Sequence, residues 1–219
     1  MNYSEALSFT FQDKEWLKKI GLGGFFALIS FYAGLFFIFG FFLVGYYIGV
    51  LRNVMNDEES PLPDWSNMSK IFVDGLMGTI IILIYFIVIG GICALIITRV
   101  ATDPYIQDYE IAISCVLTSV ITLFALGFFI NYGLIQFAAT EDFGSAFSLS
   151  GISTLIKNDL GNFLAIMIFS AILNALLFLA GLMILSPFTN FWGLVVQAHL
   201  FGQCARGLQG TTPTALQSV

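Results

Sequence analysis

A chain of 219 residues that is 58% hydrophobic and only 10% charged, with mean hydropathy +0.91, lacks the polar side chains to cover a water-facing surface. Soluble domains are about a quarter charged, so the composition excludes a soluble globule. The net charge of −6 leaves no basic face for nucleic acid. Runs that are apolar on every side, rather than alternating, argue against an outer-membrane barrel. The expected class is an all-α, polytopic integral membrane helical bundle, one domain over residues 1–219.

Residues 1–19 read as an interfacial segment. Asp13 is placed to cap a helix opening at Lys14, Glu15 and Trp16. Trp16 with Lys18 and Lys19 has the character of a headgroup-level anchor. Glu5, Asp13 and Glu15 precede an apolar run too long for the core of a secretory signal.

That first run, 20–51, would measure ~48 Å as one helix, against a hydrocarbon layer of ~30 Å. Either one long helix tilts and protrudes, or the chain bends near Ala33–Gly34 into a tight hairpin, giving six passes in place of five. The polar break from Arg52 to Asp74 follows. Pro61 and Pro63 interrupt any helix there. Asp64 or Ser66 can cap a short helix carrying Trp65, Met68, Ile71 and Phe72 on one face, lying in the interface plane. Trp65, Met68 and Phe72 are its candidate contacts with lipid or a partner.

The run 75–98 is rich in isoleucine and would suit a strand in water. In lipid each backbone group must be satisfied within its segment, so a helix is expected. A turn at Asp103-Pro104 leads to the run 111–139, a second polar break spans 140–159, and the run 160–185 follows. Ser186-Pro187 turns the chain into 188–205, with Pro187 in the first helical turn. A polar tail, 206–219, ends the sequence.

A shift of 85 places Asp57 on Asp142, Ser60 on Ser145 and Asp74 on Asp159, and a shift of 86 places Tyr46 on Tyr132. This weak internal duplication pairs helix, acidic break and helix twice. Gln197 to Arg206 resembles a third, truncated copy. Positive residues bear on topology. With a single first span, Lys14, Lys18, Lys19 and Arg99 oppose Arg52, Lys70, Lys157 and Arg206, which gives no preference. With a hairpin, seven lie together and Arg99 stands alone, so the hairpin with both termini and both breaks cytoplasmic is the preferred topology.

The apolar runs hold no Asp, Glu, Lys or Arg in their interiors, which argues against a proton- or sodium-coupled carrier. His199 is the lone histidine, with Gln203 one turn on. No zinc pair, phosphate loop or serine-nucleophile motif is present. Cys93, Cys115 and Cys204 lack metal spacing and read as small apolar residues. Asp57, Glu58, Glu59, Asp64 and Asp74 fit no calcium loop and read as a solvated acidic segment, with Asp74 and Asp159 near helix starts. Gly45/Gly49, Ala171/Ala175 and Ala198/Gly202 are small-residue pairs for close helix approach, within the chain or between copies. Asn131, Gln136, Asn162, Asn174 and His199 are the candidates for a polar cavity.

Several of these stretches carry a family resemblance: Asp13-Lys-Glu-Trp16, Lys19-Ile20, Gly45-Tyr46, Arg52, Leu62-Pro63-Asp64-Trp65 and Phe72-Val-Asp74-Gly75, then Gln136-Phe-Ala-Ala139 and Phe143-Gly-Ser-Ala-Phe147. The series resembles a prokaryotic membrane family known as domain of unknown function 4013, over nearly the whole chain. That family often has a proline inside the first and third runs, and this chain has none there. The resemblance implies a multi-pass membrane protein and brings no catalytic residues. The expectation is a non-enzymatic accessory, assembly or lipid-interacting factor of the cell membrane, without a cofactor. Its expected partners are membrane lipids and, through small-residue faces, another membrane protein or a second copy. The competing expectation is a transporter or channel for a neutral or lipid-like substrate.

Overall fold

The computed structural model describes residues 1–32, 36–180 and 185–211. Among these the chain is predominantly helical, without a strand. The order is α1 (Tyr3–Ser8), the 3-10 turn η1 (Phe9–Gln12), α2 (Trp16–Tyr32), α3 (Phe36–Met55), η2 (Trp65–Asn67), α4 (Met68–Ala101) and α5 (Asp108–Thr140). After these come η3 (Gly144–Phe147), α6 (Leu149–Asn158), α7 (Leu160–Ala180) and α8 (Ser186–Thr211). Among the described residues four helical stretches are long and apolar enough to cross a membrane: Ile38–Met55, Trp65–Ala101, Asp108–Thr140 and Leu160–Ala180.

The first apolar run is a hairpin. Lys19, at the start of α2, donates through Nζ to the carbonyl of Leu62 at 3.0 Å, and Trp65 Nε1 donates to the Lys19 carbonyl at 3.0 Å. The chain beyond α3 has therefore returned to where α2 began. The bend expected at Ala33–Gly34 lies outside the described residues. At 1.5 Å per residue α2 and α3 reach only ~26 and ~30 Å, whereas α4 and α5 reach ~51 and ~50 Å. The α4–α5 pair consequently extends furthest from the polar end, with the exposed Tyr105 and the single cation Arg99 at its tip.

The arrangement of elements recurs three times among the described residues. Three times a 3-10 turn precedes two long consecutive helices that pack together: η1 with α2–α3, η2 with α4–α5, and η3 with α7–α8, the last with α6 inserted. The second helix of each unit is its exit helix, and each exit helix packs a ring onto the turn of the next unit. Tyr46 of α3 stacks on Trp65 of η2 with ring centroids 4.7 Å apart. Tyr132 of α5 donates its hydroxyl to the carbonyl of Ser148, just past η3, at 2.7 Å. His199 of α8 stacks on Phe9 of η1 at 4.1 Å, which closes the cycle back onto the first unit. The residues just past α3 and α5 are also alike: Asp57 and Glu141 both take the left-handed conformation that ends a helix, with φ of 58° and 57°.

The three exit helices meet on the axis through one polar side chain each. Asn131 Oδ1 accepts from the Tyr47 hydroxyl at 2.8 Å and from Gln197 Nε2 at 3.1 Å. Asn131 Nδ2 donates to the carbonyl of Gly127 at 2.7 Å, so the amide is satisfied on both sides. Around this knot two of the three seams between units are tight. A Cβ added at Gly45 would fall 1.8 Å from the Ile71 carbonyl oxygen, and one at Gly75 would fall 1.7 Å from that of Phe41. Only glycine permits α3 and α4 to cross that closely. Gly23 and Gly24 of α2 receive the rings of Phe191 and Phe188 from α8 in the same way. The third seam is open. α5 and α7 touch where Phe128 meets Phe163 and Gly127 faces Met167, and away from the polar end Val120, Ile121, Ile168 and Ile172 are exposed.

Several boundaries differ from expectation. No separate interfacial helix spans Trp65 to Phe72: Met68 already opens α4, because the glycine crossing at Gly45 and Gly75 holds that stretch upright against α3. The helix expected to end near 205 continues to Thr211, and residues 212–219 lie outside the described set. Pro187 does sit in the first turn of α8. Gly202 packs against α3 and Ala198 is fully buried, whereas Ala171 and Ala175 are exposed.

Candidate binding cleft at the polar end

The polar breaks gather at one end of the bundle and are knitted by charge. Arg52, closing α3, pairs with Asp74 on the first turns of α4 at 2.7 Å and with Glu141 beyond α5 at 3.1 Å, and donates to the Ala138 carbonyl. Lys70 joins Glu141 at 2.9 Å. The Lys70 hydrogen bond and the Arg52 guanidinium hold the Glu141 carboxyl below the usual glutamate range. Asp74 was expected to favour a helix start. It lies inside α4, and its partner is Arg52, because α4 begins two turns earlier than the apolar run.

A second knot lies on the other side of the 52–74 break. Asp13 Oδ2 accepts from Lys19 Nζ at 2.7 Å and from the Ser60 hydroxyl at 2.8 Å, while Oδ1 takes the Glu15 N–H. Both partners of the ion pair are only 10% exposed. Burial pushes the Asp13 carboxyl up, and the bonds from Lys19, the Glu15 amide and Ser60 outweigh it and leave the group below its usual range. Asp64 caps η2 by accepting the Ser66 N–H, as its position suggested, and that bond lowers its pKa. Asn53 Nδ2 donates to the Pro61 carbonyl and fixes the loop's return.

Between this loop and the N-terminal strap of α1 and η1 is a cleft of about 450 Å³. The strap is held down at its start: the Asn2 N–H donates to Gln203 Oε1 at 2.9 Å, and the Gln203 amide bridges the Asn2 carbonyl and His199 Nδ1. The apolar part of the lining is Phe9, Val54, Pro61 and Leu62, with the His199 ring, itself 2% exposed, beside them. Glu5, Asp13, Asp57, Glu58 and Glu59 supply carboxylates, and Lys14, Lys19 and Arg206 supply cations. Two of the cations are already paired, Lys19 with Asp13 and Arg206 with Asp57.

The residues singled out from the sequence divide. His199 reaches the cleft. Asn131 is in the axial knot. Gln136 faces Gly151 of α6, Asn162 is exposed and donates to Asp159, and Asn174 bonds its own helix at Ser170 beside Gly193 of α8. These five side chains therefore do not share one cavity. Trp65 is 4% exposed, wedged between Tyr46, Phe26 and Phe191, and its indole N–H is spent on Lys19. It is a core residue, which corrects its expected place as an anchor in the interface. Phe72 packs on Phe41 and Phe42, while Met68 remains exposed. Reading the sequence missed Gln197 and Tyr47 as site residues, whereas Gln203 was already noted one turn beyond His199 and does contact it. The third echo at Gln197–Arg206 was the signal that marked the first of them. Of the cysteines, Cys204 is buried and its thiol contacts Asp159 Oδ2 at 3.1 Å. Among the described residues no three His, Cys, Asp or Glu side chains converge on a point that could hold a metal ion.

A family model described as a protein of unknown function, DUF4013, matches residues 28–186. No curated protein and no solved structure matches the chain.

Proposed function

The chain belongs to the DUF4013 family, and on that premise we propose that it is a non-enzymatic, lipid-interacting factor, multi-pass in the cell membrane, with the cleft as its working surface. One observation carries the reading: the cleft mixes cations and carboxylates over an apolar lining at the end of the bundle where the hydrophobic spans stop. Headgroups occupy that level of a bilayer, and Lys and Trp side chains favour it. Seven of the eight Lys and Arg residues lie at this end, which supports a cytoplasmic orientation under the positive-inside rule. The test is purification of the full chain from native membranes in mild detergent, followed by mass spectrometry of what stays bound. Retention of lipid in fixed ratio is expected. Protein stripped clean of every lipid by the same treatment would end the proposal.

A second reading, a carrier for a lipid-like substrate, draws on the open seam between α5 and α7, through which a hydrocarbon chain could enter sideways. Flux of a lipid analogue across vesicles, abolished by a Gly127→Cys/Met167→Cys disulfide across the seam, would favour it over the first.

A further inference from the structure

We infer that the cleft binds the ammonium-phosphate headgroup of an amine-bearing phospholipid, a site that rests on the lipid-interacting reading above. Once Lys19 is paired with Asp13 and Arg206 with Asp57, the lining keeps three carboxylates without an ion-pair partner among the described residues, Glu5, Glu58 and Glu59, and one such cation, Lys14. That surplus selects a ligand whose positive end carries the recognition. The single lysine suits one phosphate. The carboxylates are spread along the opening and do not converge on a point, so they suit a group with length rather than a bare divalent ion.

The surroundings choose between a lipid and a soluble amine. Phe11 on the strap and Leu17 on α2, neighbours in sequence of the lining residues Gln12 and Lys14, are 54% and 70% exposed, large apolar side chains turned outward. Together with Lys18 and Trp16 they place the rim at the boundary between hydrocarbon and water. Phe9, Val54 and Leu62 form an apolar floor that keeps water from beneath the headgroup. The paired ions serve as scaffolding. Asp13, through Lys19 and Ser60, fixes the strap to the 57–62 loop, and Arg206 fixes Asp57 to α8, so the opening is preorganised.

The test uses the full chain in nanodiscs of phosphatidylcholine doped with either phosphatidylethanolamine or phosphatidylglycerol, then detergent exchange and native mass spectrometry. Phosphatidylethanolamine should be retained about tenfold over phosphatidylglycerol, and Glu58→Gln/Glu59→Gln should remove that preference without shifting the melting temperature, since both side chains are exposed. Lys14→Gln should weaken retention while keeping the preference. Soluble phosphoethanolamine should compete only at far higher concentration. Competition at concentrations equal to the lipid's would assign the same chemistry to a soluble ligand and overturn the lipid source. Equal retention of the two lipids, or a preference untouched by the glutamate pair, overturns the headgroup assignment while leaving a lipid-binding protein. Retention of neither lipid overturns both.

Discussion

The crossing of α3 and α4 is the most demanding contact in the bundle, and Gly45→Ala tests it. The new methyl would meet the Ile71 carbonyl oxygen at 1.8 Å and must retreat by about 1.6 Å to reach the 3.4 Å of ordinary contact. The obstacle is backbone, so no rotamer can absorb the displacement and the helices must separate. Overpacking of this kind costs about 1–3 kcal/mol, and alanine's better helix propensity returns up to ~1 kcal/mol. A net loss of about 1–2 kcal/mol corresponds to roughly 2–8 °C in melting temperature for a chain of this size. Gly75→Ala forces the same separation from the other side, so the double variant should cost clearly less than the sum of the singles. Gly90→Ala and Gly91→Ala have open space around them and should be neutral or stabilising. Thermal unfolding in detergent reads the parent and all five variants. Gly45→Ala melting with the parent, or strict additivity with Gly75→Ala, would show that the two helices do not cross at these residues.

Three further outcomes follow from the polar contacts. Asn131→Leu strands the Tyr47 hydroxyl and the Gln197 amide on the axis and should cost about 2–4 kcal/mol, and adding Tyr47→Phe should recover part of it. No recovery in the denaturation midpoint would mean the two side chains are not coupled. Glu141 has a folded pKa below its usual 4.5, so its contribution is complete above that value and is lost as pH falls through the folded pKa. The carboxylate side chain is 56% exposed, which limits the effect to under ~1 kcal/mol. The parent should lose more stability than Glu141→Gln between pH 5 and pH 3 (about 0.5 to 1 kcal/mol), and parallel melting curves would contradict the pairing with Lys70 and Arg52. Cysteines placed at Asn2 and Asn56 should be labelled by an impermeant maleimide from one side of the membrane and a cysteine at Thr102 from the other. Labelling of Asn2 and Asn56 from opposite sides would break the hairpin of α2 and α3.

The sequence by itself determined the class and most of the apolar segments, and it left open whether 20–51 crosses once or folds back, and with that the side on which the cations gather. Charge content and uninterrupted apolar length are one-dimensional properties, and backbone hydrogen bonding in lipid admits little besides helix. It also carried the repeat, through Tyr46, Tyr132 and the acids that follow each. What it could not carry was which polar group faces which. Trp65 reads as an interface anchor because its neighbours are Pro63, Asp64 and Ser66, yet the return of α3 beside α2 buries it under Tyr46. Asp74 reads as a cap until the glycine crossing moves the helix start to Met68 and brings Arg52 within 2.7 Å. The cleft is assembled from residues near 5–19, 54–62 and 199–206, so it exists only once the third unit packs back onto the first. Local pattern sets each helix. The closure of three hairpins around Asn131, with one seam left open, depends on long-range packing and is decided only in three dimensions.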